Sequence, residues 1–148
     1  MVTKKLTYII RKVTDPKFIE SFVLHAGDSL TYFRYYKSRP YDVIKHHLAT
    51  YLLFISDQEN AIGYGHLEFE ANKLWLGIAV SADYKGKGFG NLLLGELIAT
   101  AKDIKCEHIF LSVDINNKPA ICLYEKFGFK FFEIKNELVQ LMRLSLYE

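Results

Sequence analysis

The sequence has little of what marks secreted, zinc-binding or membrane-spanning proteins. It contains two cysteines in 148 residues, Cys106 and Cys122, so neither a disulfide framework nor a cysteine metal site is expected. Its apolar segments are short, which predicts no membrane span. A formal net charge of +2 without a long basic run gives no reason to expect nucleic acid as a partner. We therefore expect a cytoplasmic protein that binds no metal, nucleic acid or membrane.

What is present has the pattern of one domain spanning residues 1–148. Half of the residues are apolar, as in ordinary globular proteins. Apolar periodicity, punctuated by glycine and proline, predicts strands over 6–13, 51–55, 61–69, 74–80, 108–113, 129–134 and 138–146. The same signals predict helices through 18–23 and over 29–39, 42–48, 88–104 and 118–127.

This order of elements predicts an α/β fold with a mixed sheet of about seven strands and helices on both faces. The second to fourth strands have short connections, so they should form an antiparallel meander. The helix over 88–104 lies between strands 74–80 and 108–113. We expect it to complete a right-handed parallel crossover between these two strands.

A glycine-rich loop follows strand 74–80 and leads directly into a helix. Three glycines alternate over residues 86–90. Glycines leave the backbone open to a ligand, and the first-turn amides of a helix have no partner within it. Lys85 and Lys87 add positive charge to that of the helix dipole. The loop therefore predicts a seat for a pyrophosphate.

Other phosphate-binding motifs do not fit this loop. It lacks the Gly-Lys-Ser/Thr ending of a P-loop, and its G-x-G-x-G spacing differs from that of dinucleotide-binding folds. Taken alone, the G-x-G-x-G spacing is equally typical of a pyrophosphate site and of a tight turn before a helix. A second cluster at residues 117–129, one helix and one strand later, favours the functional interpretation.

The two segments together resemble the GNAT superfamily of N-acetyltransferases. The family pattern Arg/Gln-x-x-Gly-x-Gly/Ala corresponds to residues 85–90, with Lys85 where Arg or Gln is usual. The pattern Asn-x-x-Ala-x-x-x-Tyr-x-x-x-Gly-Phe corresponds to Asn117, Ala120, Tyr124, Gly128 and Phe129. The match covers about residues 61–129, and the element order fits the family over the whole chain.

The resemblance implies a GNAT-like fold and acetyl-CoA (CoA) as the cofactor. In the family, loop amides bind the CoA pyrophosphate, and the preceding strand pairs with the pantetheine arm, often near a bulge that would fall at Gly77. Asn117 matches a position that hydrogen-bonds this arm, and a plain helix cap is its alternative. The cofactor-binding residues implied are Ile78, Ala79, Val80, Lys85, Gly86, Lys87, Gly88, Phe89, Gly90, Asn91, Asn117 and Tyr124.

Tyr124 matches the family's general acid, which protonates the departing thiolate, and plain packing is its alternative. The resemblance does not fix the base, because strand 74–80 lacks the carboxylate that many members carry in the meander. An alkyl amine with a pKa near ~10 must still lose a proton. Strand alternation places His66, Glu68 and Glu70 on one face, and Asp114 ends the next strand. Each is a candidate base with an ordinary structural alternative.

The family binds its acceptor over the early helices, on the side opposite CoA. Here these carry Tyr32, Arg34, Tyr35, Tyr36 and Arg39. The tyrosines are expected to share a helical face, which indicates either core packing or a platform for a sugar or base, with an arginine meeting phosphate.

The resemblance thus implies direct acetyl transfer from acetyl-CoA to an amine. A small amine or a nucleotide-linked amino sugar is favoured over a protein N-terminus or lysine, and a homodimer is compatible with the sequence. Two readings from other classes stay open: a non-catalytic acyl-CoA sensor or interaction module, and a binder of another pyrophosphate ligand.

Overall fold

The computed structural model describes residues 7–56 and 58–147; Leu6, which the sequence assigns to the first strand, lies outside them. The strands are β1 Tyr8–Lys12, β2 Ala49–Ile55, β3 Gly63–Glu70, β4 Lys73–Val80, β5 His108–Asp114, β6 Lys130–Ile134 and β7 Val139–Ser145. The α-helices are α1 Pro16–His25, α2 Phe89–Asp103 and α3 Lys118–Lys126. Short 3-10 helices cover Gly27–Thr31, Tyr35–Lys37, Tyr41–His46 and Ala82–Tyr84.

The strands form one mixed sheet in the order β1-β2-β3-β4-β5-β7-β6. The first four strands pair antiparallel with their neighbours in sequence. β5 pairs parallel to β4 after the α2 crossover, and β7 pairs antiparallel with both β5 and β6. The predicted mixed α/β sheet, with its meander and its crossover, is confirmed.

Glycines on β3 bring α2 close to one face of the sheet. A Cβ built on Gly63 would lie 2.7 Å from Cδ1 of Leu93, and one on Gly65 would lie 2.9 Å from Cδ1 of Leu97. Because side chains alternate along a strand, Tyr64, His66 and Glu68 point to the other face. The core on the α2 and α3 face contains Leu67, Leu74, Leu76, Leu94, Leu97, Ile109, Leu111, Val113 and Tyr124.

The opposite face is covered by α1 and the 3-10 helices. Its core contains Ile19, Phe22, Ile44, Leu52, Tyr64 and Ala79. Ser29 Oγ donates to the carbonyl of Val80, and Ser81 Oγ donates to the carbonyl of His25 at 2.9 Å. These bonds attach the irregular early segment to the end of β4, which carries the glycine loop.

The early helices predicted over residues 29–39 and 42–48 are wrong in type. This segment forms separate 3-10 helices, with a break at residues 32–34. Tyr32, Tyr35 and Tyr36 therefore do not share a helical face: Tyr32 is exposed, whereas Tyr35 and Tyr36 are half-buried. The hydroxyls of the latter two reach partners on the sheet, and short 3-10 helices accommodate this better than one regular helix.

The bulge expected at Gly77 is also wrong. The register between β3 and β4 is unbroken from Glu70↔Lys73 to Gly63↔Val80. Gly77 has a different role, because a Cβ at this position would lie 2.4 Å from Cε1 of His66. The glycine lets the imidazole rest against the β4 backbone.

Within the described residues, no helix is both long enough and apolar enough to cross a membrane.

Candidate active site

The parallel pair β4 and β5 separates after a short common stretch. The pairing joins Leu74 to Ile109 and Trp75 to Phe110. Beyond this point β4 stays paired with β3 as far as Val80, and β5 stays paired with β7 as far as Asp114. The β4 backbone groups that face β5 after Trp75 are thus available to an extended ligand, which would add to the sheet as a strand does.

The glycine loop stands at the open end of this gap. Gly86 has φ +75° and Gly88 has φ +87°, and a Cβ on either would meet nothing within 4 Å. Gly88 is the N-cap of α2, which has no capping side chain. The first-turn amides of α2 therefore face an open, exposed loop, beside exposed Lys85 and Lys87. These residues fit the pyrophosphate of CoA by exposed amides, positive charge and room.

Two residues of the glycine motif, Phe89 and Gly90, have packing roles in addition to their place in the loop. A Cβ on Gly90 would lie 3.1 Å from Cδ2 of Leu123, so this glycine serves the packing of α2 against α3. The Phe89 side chain is buried in a core cluster with Leu53 and Leu93. The side chain of Phe89 therefore faces the interior, and only its backbone faces the loop.

Asn117 caps α3, as expected for the plain helix cap that is the alternative to a role in cofactor binding. Its Oδ1 accepts a hydrogen bond from the Ala120 amide at 3.4 Å. The last turn of α3 is joined to the start of α2, because Lys126 Nζ donates to Asn91 Oδ1 at 3.4 Å. The second motif is thereby held against the first one.

Tyr124 lies on α3 beneath the gap. It is 6% exposed and belongs to the same core cluster as Leu76 of β4 and Leu111 and Val113 of β5. Its ring packs edge-on against Phe129, with centroids 5.8 Å apart. Burial raises the pKa of the Tyr124 phenol above its ordinary value, so it stays protonated at neutral pH.

A polar cluster lies on the other face of the sheet. The Tyr35 hydroxyl donates to Glu68 Oε1 at 2.8 Å and also contacts His47 Nε2 at 2.8 Å. His66 Nε2 lies 3.8 Å from Glu68 Oε1, and the two imidazoles stack with centroids 4.4 Å apart. Among the candidate bases, His66 and Glu68 are thus adjacent, and Glu68 is nearly buried with 14% of its side chain exposed.

Hydroxyl groups contact the second ring nitrogen, Nδ1, of both histidines. His47 Nδ1 lies 2.8 Å from Thr50 Oγ1, and His66 Nδ1 lies 2.7 Å from the Tyr64 hydroxyl. Burial lowers the pKa of His66 well below its ordinary value and lowers that of His47 to about 4. Both rings are therefore neutral at physiological pH.

The other two candidate bases lie outside this cluster. Glu70 is exposed at the end of β3. Asp114 ends β5 and is bound from two sides: Oδ2 accepts from Arg34 Nη2 at 3.1 Å, and Oδ1 accepts from the Asn116 amide at 2.8 Å. The Asn116 amide and the Arg34 guanidinium hold the pKa of Asp114 below its ordinary value, which makes it a weak base.

The candidate acceptor residues surround this polar face. Arg34 joins the segment 32–34 to β5 through Asp114. The Arg39 guanidinium lies 4.2 Å over the Tyr35 ring and donates to the Tyr35 carbonyl at 3.1 Å. Tyr32 is exposed. Tyr35 faces inward, where its hydroxyl belongs to the cluster.

Sequence reasoning misses His47 as a member of the site. It precedes β2, far from both motifs, and only its contacts with Tyr35 and Thr50 identify it. Tyr64 is likewise missed, although it alternates with His66 on the strand that carries three of the candidate bases. The alternation of polar residues along β3 is a sequence signal for Tyr64, whereas His47 has no such signal.

Fold and site define an α/β protein that can hold an extended, pyrophosphate-bearing ligand between two parted parallel strands. A sequence profile of the acetyltransferase (GNAT) family matches residues 16–129. The chain belongs to this family.

Relatives with assigned activities match only part of the chain. A spermine/spermidine N(1)-acetyltransferase of Bacillus subtilis is 41% identical over 61 residues, which are 40% of this chain and 40% of that protein. An N-alpha-acetyltransferase of Saccharolobus solfataricus is 44% identical over 54 residues, which are 36% of this chain and 32% of that protein. The similarity therefore covers well under half the length of either relative.

Solved structures are similar over nearly the whole chain. The ribosomal-protein-S18-alanine N-acetyltransferase of Escherichia coli has a TM-score of 0.69 at 19% identity, over 96% of each chain. A Salmonella typhimurium protein solved with its cofactor acetyl-CoA has a TM-score of 0.72 at 17% identity, over 95% of each chain. At these identities the likeness establishes the fold.

Proposed function

We propose that this chain transfers the acetyl group of acetyl-CoA to an amine. The observation that carries the proposal is the gap between β4 and β5, with an open glycine loop at one end and a buried tyrosine beneath it. Loop residues 85–91 hold the pyrophosphate, and Ile78, Ala79 and Val80 offer backbone groups to the pantetheine arm. Asn117 at the start of α3 contacts the same arm in addition to capping the helix.

The bound cofactor supplies an acetyl thioester, whose carbonyl carbon the amine attacks. A β4 amide polarises the carbonyl oxygen as negative charge builds on it. The new C–N bond forms as the C–S bond breaks, the amine gives up a proton, and the thiolate takes one. The protein must therefore hold one proton acceptor and one proton donor at the gap.

Glu68 is the proton acceptor. It is the carboxylate that the fold holds nearly buried next to His66, whose ring rests against Gly77 on β4. The amine proton reaches Glu68 directly or through a water beside His66. Tyr124 on the opposite face is the donor, and its phenol proton goes to the thiolate. Afterwards Tyr124 takes a proton from solvent.

The acceptor is a small amine that carries an anionic group, with a nucleotide-linked amino sugar favoured. Arg34 and Arg39 lie on the acceptor side of the sheet, and guanidinium groups bind phosphate in a fixed geometry. Exposed Tyr32 offers a ring on which a sugar or base stacks. Spermidine, a polycation, and a peptide with a free N-terminus are the competing acceptors, as the relatives' activities suggest.

The test is release of free CoA thiol over a panel of these three acceptors. We expect acetylation of a nucleotide-linked amino sugar, with kcat/KM higher than for spermidine or the peptide. Preference for spermidine would overturn the acceptor assignment alone. Tight acetyl-CoA binding without transfer to any amine would instead support an acyl-CoA sensor.

Gly88→Val should abolish CoA binding, because a branched side chain disfavours φ +87° and blocks the approach to the amides. Calorimetric titration with CoA measures the loss. Gly95→Ala is the matched control. Gly95 lies within α2, the helix that Gly88 caps, and a Cβ at this position would meet nothing within 4 Å. The Gly95→Ala variant should therefore bind CoA with the affinity of the parent. Unchanged affinity in folded Gly88→Val would remove the loop as the pyrophosphate site.

Glu68→Gln should reduce kcat by roughly 100-fold, the usual scale for a general base, with little change in CoA affinity. Glu70→Gln is the control on the same face of the same strand, and its rate should remain that of the parent because Glu70 is exposed at the strand end. The measurement is the steady-state kcat of the parent and both variants with the amine that the parent acetylates fastest. Equal rates for both variants would show that water or another group takes the proton.

Tyr124→Phe should reduce kcat by roughly 100-fold or more while acetyl-CoA affinity stays nearly intact, because the ring is kept and only the proton is lost. Burial raises the pKa of Tyr124, so the parent's rate should not fall between about pH 7 and 9 through loss of this proton. The measurement is the pH dependence of kcat for parent and variant. A variant as fast as the parent would leave Tyr124 a packing residue.

A further inference from the structure

The polar cluster on the acceptor face gathers three side chains that commonly bind metal ions. One donor atom each from His47, His66 and Glu68 lies within 4.8 Å of the others. The Nε2 atoms of both histidines point toward the same carboxylate, and each lies 3.8 Å from one of its oxygens. The three groups come from two parts of the chain and meet inside the fold.

The surroundings of the two imidazoles are those of metal ligands. A ligating histidine needs its second ring nitrogen held by a hydrogen bond, which fixes the orientation of the ring. Here Thr50 holds Nδ1 of His47, and Tyr64 holds Nδ1 of His66. Tyr36 in turn holds Tyr64, with hydroxyl oxygens 2.6 Å apart. Both Nε2 atoms are thereby aimed at Glu68.

We propose that His47, His66 and Glu68 form a binding site for a divalent transition metal ion of the Zn²⁺ class. Two imidazoles and one carboxylate are a ligand set typical of zinc with one open position. When bound, the ion occupies the carboxylate of Glu68, so it blocks acetyl transfer. This last consequence rests on the proposed role of Glu68, whereas metal binding itself does not.

Metal binding requires the three donor atoms, which lie within 4.8 Å of one another, to move closer together. Bonds of about 2.0–2.1 Å in a tetrahedral site separate the ligand atoms by roughly 3.4 Å. The observed separations of 3.8 Å close by rotation of the Glu68 side chain. The two stacked imidazoles must also turn out of their near-parallel arrangement, because an ion binds Nε2 in the plane of each ring. The Tyr35 hydroxyl, 2.8 Å from two of the donor atoms, gives up these contacts to the ion.

The experiment is titration of the metal-free protein with Zn²⁺ in competition with a chromophoric chelator. It is done in a Cys106→Ser, Cys122→Ser background, because both cysteines are free thiols. We expect one ion per chain, and affinity at least about 100-fold weaker in His47→Gln and in Glu68→Gln. With Co²⁺ as a probe, the background protein should show the visible absorption of a tetrahedral site.

His46→Gln is the matched control, since His46 is the exposed neighbour of His47. It should bind Zn²⁺ like the background protein, and circular dichroism should show every variant folded. No stoichiometric binding, or equal affinity in folded His47→Gln and Glu68→Gln, would overturn the site. Binding without loss of acetylation would overturn the proposed block, and a parent-like rate in Glu68→Gln would count only against its role as base.

Discussion

The end of pairing between β4 and β5 is the constraint on which the site depends. Each strand keeps its outer partner, β3 for β4 and β7 for β5, so the gap between them is held open by two complete ladders. Buried backbone groups without partners cost about 1–3 kcal/mol each. In the proposed complex, the pantetheine arm pairs with the β4 backbone groups that face the gap, so the sheet favours an extended, amide-bearing ligand before any side chain contributes.

In the proposed reaction, the two proton transfers also take place on opposite faces of the sheet. Tyr124 belongs to the core on the α2 and α3 face, whereas His66 and Glu68 lie on the face that α1 and the 3-10 helices cover. An amine that enters from the second face meets the thioester between the strands, and the thiolate leaves beside the phenol. In the proposed reaction, donor and acceptor thus never exchange protons directly, because the sheet stands between them.

The fold and the conformation of the glycine loop could be predicted from sequence because their signals are local. Alternation, glycine spacing and capping residues act within a few positions, and Gly88 and Asn117 mark helix starts as expected. The 3-10 helices of residues 29–48 could not be predicted in this way, because the Tyr35 and Tyr36 hydroxyls bond to Glu68 and Tyr64, which are distant in sequence. The place of His47 in the polar cluster cannot be predicted for the same reason, because it depends on tertiary contacts with residues that are distant in sequence.

In the proposed reaction, Glu68 on β3 takes the place of the carboxylate that β4 lacks. Across the unbroken register, His66 lies opposite Gly77 and Glu68 lies opposite Trp75. Directly opposed residues share a face, so the His66 ring can lie over β4 only if position 77 carries no side chain. Gly77 meets this requirement, since any side chain there would collide with the imidazole. In the proposed reaction, the route from the thioester to Glu68 therefore runs past the His66 ring, and a side chain at position 77 would displace that ring.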